Sequence, residues 1–146
     1  VAPADTIAKL KLSNAVTPQE RLTVKEIVIE PVAMYNIDKV FHPRGHNWFG
    51  AVITIGGRRI YYAGDTDLVP EMSDLKDVDL CLFPVGGTYT LNAAEAARAC
   101  QAVGCGAAIP YHWGDIIGSE DDAREFERLA PCRVHVLQAG GELSIP

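Results

Sequence analysis

An apolar strand that stops on a carboxylate, followed downstream by another that stops on an imidazole, limits what this chain can fold into. The first reads Arg59-Ile60-Tyr61-Tyr62-Ala63-Gly64-Asp65-Thr66-Asp67 and the second Ala107-Ala108-Ile109-Pro110-Tyr111-His112-Trp113. Groups carried at the C-terminal ends of strands can converge only where those ends meet along one edge of a sheet. An oxygen and a nitrogen donor presented together in that way suit zinc or a similar divalent ion.

The elements around these strands follow from turn and capping signals. Gly56-Gly57 lies between apolar runs at 51–55 and 58–63, and a Gly-Gly pair tolerates positive φ at both turn positions, so a hairpin is expected. A buried strand over 79–83 leads into the loop 84–90. Asn92 and Glu95 then have the spacing of a reciprocal cap for an Ala-rich helix to residue 103, closed by Gly104 and Gly106. A strand over 107–111 follows. Ser119 caps a helix over 120–129 with Pro131 just beyond, and strands over 134–137 and 142–145 finish the chain. Upstream, Asp5 can cap a helix over 6–12. The alternating run 24–29 continues into 30–35 as one or two strands with a bend at Pro31, and 36–49 reads as a polar, irregular loop holding two of the four histidines. The sum is an α/β (α+β) chain, a mixed sheet with flanking helices, with no composition break to divide 1–146 into more than one domain.

Composition narrows the function. At 48% hydrophobic and 22% charged, the 146 residues suit a globular domain, and no apolar run reaches the length of a membrane span. A net charge of -6 argues against a nucleic-acid or anionic-membrane binder, which would need a basic face. Cys81, Cys100, Cys105 and Cys132 have no CxxC spacing and are expected to be reduced, buried thiols, which places the chain in the cytoplasm. His135 alternates with Val134 and Val136 and is expected at the surface. The loop 84–90 lacks the GxxxxGK[ST] spacing of a phosphate cradle, so its glycines are read as letting backbone pass close to the cleft.

Several ordered segments resemble the C-terminal half of the metallo-β-lactamase fold, in its broad hydrolase branch. They are Ala33-Met34-Tyr35-Asn36, Phe41-His42-Pro43, Trp48-Phe49-Gly50, the Gly64-Asp65-Thr66-Asp67 strand end with Glu71-Met72 after it, Pro84-Val85-Gly86-Gly87-Thr88-Tyr89-Thr90, Glu95-Ala96-Ala97 and Ile109-Pro110-Tyr111-His112. The likeness runs from about residue 16 to the end. It implies half of an αββα sandwich with two metal sites between its sheets, and hydrolysis of an ester, lactone or phosphoester-type bond of a small molecule by metal-activated water.

By that resemblance Asp65 is the carboxylate shared by two metals, His112 is the last histidine, and His42 is the third ligand. Asn36, which stands where a histidine often ends its strand, and His46 are alternatives to His42. Asp67 is a candidate acceptor just outside the ligands. Tyr89 and Tyr111 are candidate substrate contacts. Glu71, Asp74 and Asp77 continue Asp67 into an acidic stretch read as a solvated face. Zinc is the expected ion, with manganese or iron open. The family's His-x-His-x-Asp-His signature is absent from these residues and, with the activating aspartate, is expected upstream of Val1. The chain is therefore expected to be a fragment, inactive alone, whose partner is the missing N-terminal half or a second copy. The rival expectation is a half-fold kept for association and not for catalysis.

Overall fold

Glycine makes the central hairpin. Gly56 (φ +56°) and Gly57 (φ +78°) both take the left-handed conformation that a residue with a Cβ resists, and they turn one strand directly onto the next. The computed structural model describes residues 2–11, 20–114 and 116–145. Among them the chain forms α1 (Ala4–Leu10), β1 (Leu22–Val24), β2 (Ile27–Ala33), β3 (Phe49–Ile55), β4 (Arg58–Tyr62), β5 (Leu80–Pro84), α2 (Ala93–Val103), β6 (Ala107–Tyr111), α3 (Glu120–Leu129) and β7 (Arg133–Val134). Spatial order in the seven-stranded sheet equals chain order. The pairs from β1 to β4 are antiparallel, and those from β4 to β7 are parallel.

One face of the sheet carries the core. Val52, Tyr61, Cys81, Phe83 and Ala108 point toward α2 and α3, where Ala96, Ala99, Cys100, Ala123 and Phe126 meet them, all buried. Phe83 lies edge-on to Tyr61 (5.9 Å between centroids) and to Phe126 (6.4 Å), so one ring ties the hairpin to α3. Burying a ring of that size contributes about 2–3 kcal/mol. The alternate residues of the same strands are also apolar. Ile53 pairs with Ile60, and Leu82 with Ile109, on the opposite face, where Ile55 and Tyr62 are 46% and 42% exposed.

The structure corrects several expectations. The run 24–29 is not one strand, because Lys25 (φ +56°) and Glu26 form a two-residue turn between β1 and β2. Pro31 makes no break in β2. It pairs with Ala51, and β1 ends opposite Ile29, so its missing N–H leaves no gap in that ladder.

At the other end, β7 stops at Val134 with one further ladder bond from His135 N–H to Ala108 O (2.8 Å), and 142–145 forms no strand. Leu143 and Ile145 instead line a cleft with Leu80, Ala107 and a half-buried His135. Finally, Cys81 and Cys105 are disulfide-bonded, while Cys100 and Cys132 are free with their sulfurs 3.0 Å apart. The crossover through α2 returns the chain over β5, a proximity that a separation of 24 residues conceals in the sequence.

Helix α1 begins at Ala4 without a side-chain cap, and residue 12, its expected end, lies outside the described residues. Asp5 Oδ2 accepts instead from Trp48 Nε1 (2.9 Å), tying α1 to the loop before β3. Helix α2 carries the reciprocal cap expected at Asn92–Glu95, and α3 starts after Ser119 as expected, with the Ser119 N–H and hydroxyl both donating to Asp122 Oδ2 (2.7 and 3.1 Å). No helix among the described residues is long and apolar enough to cross a membrane.

Candidate metal centre

Strand β4 ends one residue before Ala63, and the chain then turns on Gly64 (φ +73°). A Cβ at Gly64 would run into the Met34 thioether, and the Asp65 N–H points at that sulfur (3.0 Å). A Cβ at Gly50 would lie 2.5 Å from the Ala63 carbonyl oxygen. Two glycines thus let β3 and the segment after β2 close on the turn that carries Asp65. Two strands away, β6 ends at Tyr111, and His112 takes φ +60°, a left-handed conformation that is uncommon without glycine and costs about 1–3 kcal/mol. A Cβ at Gly86 would lie 2.5 Å from the His112 carbonyl oxygen and 3.1 Å from its Nδ1, so the loop 84–90 does pass close to the cleft.

These turns bring three predicted residues together. Asp65 Oδ2 lies 3.8 Å from His112 Nε2 and 3.8 Å from His42 Nε2. Two ligand atoms about 2.1 Å from one ion stand about 3.4 Å apart at the tetrahedral angle. The observed 3.8 Å separations are slightly wider than that, and the nitrogen–oxygen donor set suits zinc-type ions. Among the described residues no three acid, imidazole or thiol groups converge on a single point. What the chain presents is one carboxylate oxygen flanked by two imidazoles, not a closed cage. His112 Nδ1 is buried without a hydrogen-bond partner, the one atom of this group whose demand is unmet.

Asn36 and Asp67 stand behind His42. The Asn36 amide nitrogen donates to Asp67 Oδ1 (3.1 Å) and to the Tyr89 carbonyl (3.0 Å), and its oxygen accepts from the His42 N–H (2.9 Å) and faces His42 Nδ1 at 3.1 Å. Asp67 is buried, contrary to a solvated acidic face. It accepts from Ile37 N–H (2.8 Å), pairs with the Lys39 ammonium, and reaches the candidate centre only through Asn36. His46 packs its ring on Trp48 (4.7 Å) and has no ion pair with Asp65 among the described residues.

Tyr111 is stacked on Tyr62 (5.2 Å) and donates to the Gly64 carbonyl (2.6 Å), so its hydroxyl braces the Asp65 turn. Burial, then the neighbouring Tyr62 and Asp65, push its phenol well above the usual value and keep it a donor. Tyr89 lines a cleft of about 320 Å³ with His112, Trp113, Ile116 and Ile117. A second cleft, of about 300 Å³, is lined by His42 and Asp65 together with Trp48 and Phe49. Sequence reasoning missed Lys39 and Trp48. An ammonium two residues from a buried carboxylate's backbone donor leaves no pattern, and the Trp48–Asp5 bond spans 43 positions.

A model of the beta-lactamase superfamily domain matches residues 5–113. The chain belongs to the beta-lactamase superfamily. It is 36% identical over 103 residues to a UPF0173 metal-dependent hydrolase of Staphylothermus marinus, a match covering 64% of this chain and 45% of that protein. With a UPF0173 metal-dependent hydrolase of Symbiobacterium thermophilum the identity is 39% over 92 residues, covering 59% of this chain and 41% of the relative. Among solved structures, a protein assigned as a metal-dependent hydrolase from Parabacteroides distasonis superposes with a TM-score of 0.83 at 30% identity, over 92% of this chain and 62% of that one. Igni18 from Ignicoccus hospitalis, described as a metallo hydrolase, shares the fold with a TM-score of 0.75 at 19% identity, over 93% of this chain and 64% of its own. The chain spans just under half the length of the relatives it matches.

Proposed function

We propose that the complete protein is a metal-dependent hydrolase and that Asp65, His42 and His112 belong to its metal site. The observation that carries this is the convergence of two imidazole nitrogens on one carboxylate oxygen, each at 3.8 Å. Bound there, a divalent cation supplies Lewis-acid polarisation of the scissile bond and acidifies water. The chain's own residues do the rest. Asp65 offsets positive charge and sets spacing, the two imidazoles fix direction, and the apolar walls at Trp113 and Ile117 exclude water on the His112 side. A hydrolytic ion needs three protein ligands and an open position. Two ions need more donors than these residues supply, and the remainder, with the activating aspartate, come from sequence beyond them in this reading.

Zinc is the favoured ion, and the bond cleaved is of the ester, lactone or phosphoester type in a small molecule. Native mass spectrometry after zinc loading tests the site. The expected result is zinc retained by the parent chain and lost in Asp65→Ala with the fold unchanged by circular dichroism. Equal zinc stoichiometry in both proteins would remove Asp65 from the site.

One observation favours a second reading, association without catalysis. The sheet face bearing Ile53, Ile55, Ile60, Tyr62, Leu82 and Ile109 is apolar and partly open among the described residues. Light scattering decides for a second copy of this chain as the occupant: a dimeric mass with no zinc uptake supports it, and a monomer excludes it.

A further inference from the structure

The donors and acceptors around Asn36 allow one arrangement of protons. Its amide nitrogen end faces the Asp67 carboxylate and the Tyr89 carbonyl, at 3.1 and 3.0 Å. Asp67 is already an acceptor for Ile37 N–H and for Lys39, and a backbone carbonyl can only accept. That end must therefore be the NH2 group, which leaves the oxygen toward His42. The His42 backbone N–H donates to this oxygen at 2.9 Å, and ring Nδ1 stands 3.1 Å from it. A lone pair on Nδ1 would face a lone pair on the amide, so Nδ1 carries the hydrogen. A neutral imidazole has only one.

We infer that Asn36, braced by Asp67, is a positioning residue that holds His42 as its Nδ1–H tautomer and turns the Nε2 lone pair toward Asp65. Both amide hydrogens and both oxygen lone pairs of Asn36 are used within the protein, so it has nothing left for a metal. Nε2 and Asp65 Oδ2 then face each other as two electron-rich atoms 3.8 Å apart, an arrangement a cation between them satisfies. What the lone pair serves rests on the metal-site reading above; the tautomer does not.

The test is a two-bond proton–nitrogen NMR correlation of the histidine rings in the metal-free 146-residue chain, in mildly alkaline buffer. His42 should show a pyrrole-type Nδ1 and a pyridine-type Nε2. The reverse assignment in the parent chain overturns the inference without any variant. Asn36→Ala, which removes the acceptor, should shift His42 toward the Nε2–H form. An unchanged tautomer in a folded Asn36→Ala chain would show that Asn36 does not set it. Zinc titration separates the two claims. Asn36→Ala is expected to weaken zinc about 10–100-fold. The expected tautomer in a parent chain that takes up no zinc would leave the tautomer standing and sink the metal-site reading.

Discussion

At the scale of single residues, the candidate centre depends on positions where a side chain is absent as much as on those where one is present. Gly86 shows this most directly, since an added methyl would meet the His112 carbonyl oxygen at 2.5 Å and Nδ1 at 3.1 Å. Neither atom can yield without moving the end of β6. Gly86→Ala is therefore expected to cost about 1–3 kcal/mol in a denaturant melt and to shift the His112 ring resonances while leaving those of His135 in place. Unaltered His112 signals would show that the loop is free to retreat. Asp65 and His112 were legible in the sequence because each ends an apolar strand, and pattern shows strand ends. The arrangement behind His42 was not. Asn36, Asp67 and Tyr89 meet through bonds spanning 31 and 53 positions, and no local periodicity encodes such contacts.

Among the elements, the join between β4 and β5 has a charge at its start. Asp79 accepts from the Arg59 N–H (2.7 Å) and from the Arg58 guanidinium (3.1 Å) and returns its own N–H to Arg59 O (2.9 Å), clipping the first residues of two parallel strands together. The backbone N–H of Arg59, then Arg58, holds the Asp79 carboxyl below its ordinary value. Because the folded value is the lower one, this tie stabilises fully above the unfolded carboxyl value of about 3.9 and fades as pH falls through the folded value. Asp79→Asn should flatten the fall in stability below about pH 4, measured by urea unfolding across an acid series. A parallel decline in both proteins would mean that other carboxylates govern the acid limb. Elements bounded by glycine, proline or a capping residue were readable in advance, among them the β3–β4 hairpin, α2 and α3. The β1–β2 turn was hidden because Lys25 adopts a left-handed conformation that nothing in its chemistry announces. The segment 142–145 alternates like a strand and only leans on the sheet.

Across the whole molecule, the parallel half is held by a covalent link that composition did not suggest. The Cys81–Cys105 bond closes a loop of 24 residues containing all of α2. Constraint of an unfolded loop of that length corresponds to about 3 kcal/mol. Reduction, or Cys105→Ala, should therefore lower the unfolding midpoint in urea, while Cys100→Ala should leave that link intact. A midpoint insensitive to reductant would show that packing around Phe83 and Tyr61 holds the parallel half without it. Because every strand lies beside its neighbours in sequence, the sheet also has a direction in time. A chain emerging from the ribosome can pair β1 through β4 as successive hairpins, with Asp65 and His42 already made. His112 is translated 47 residues after Asp65, about 5 s later at ordinary elongation rates. During that interval Asp65 and His42 stand without His112, and only completion of β6 brings that imidazole opposite the carboxylate.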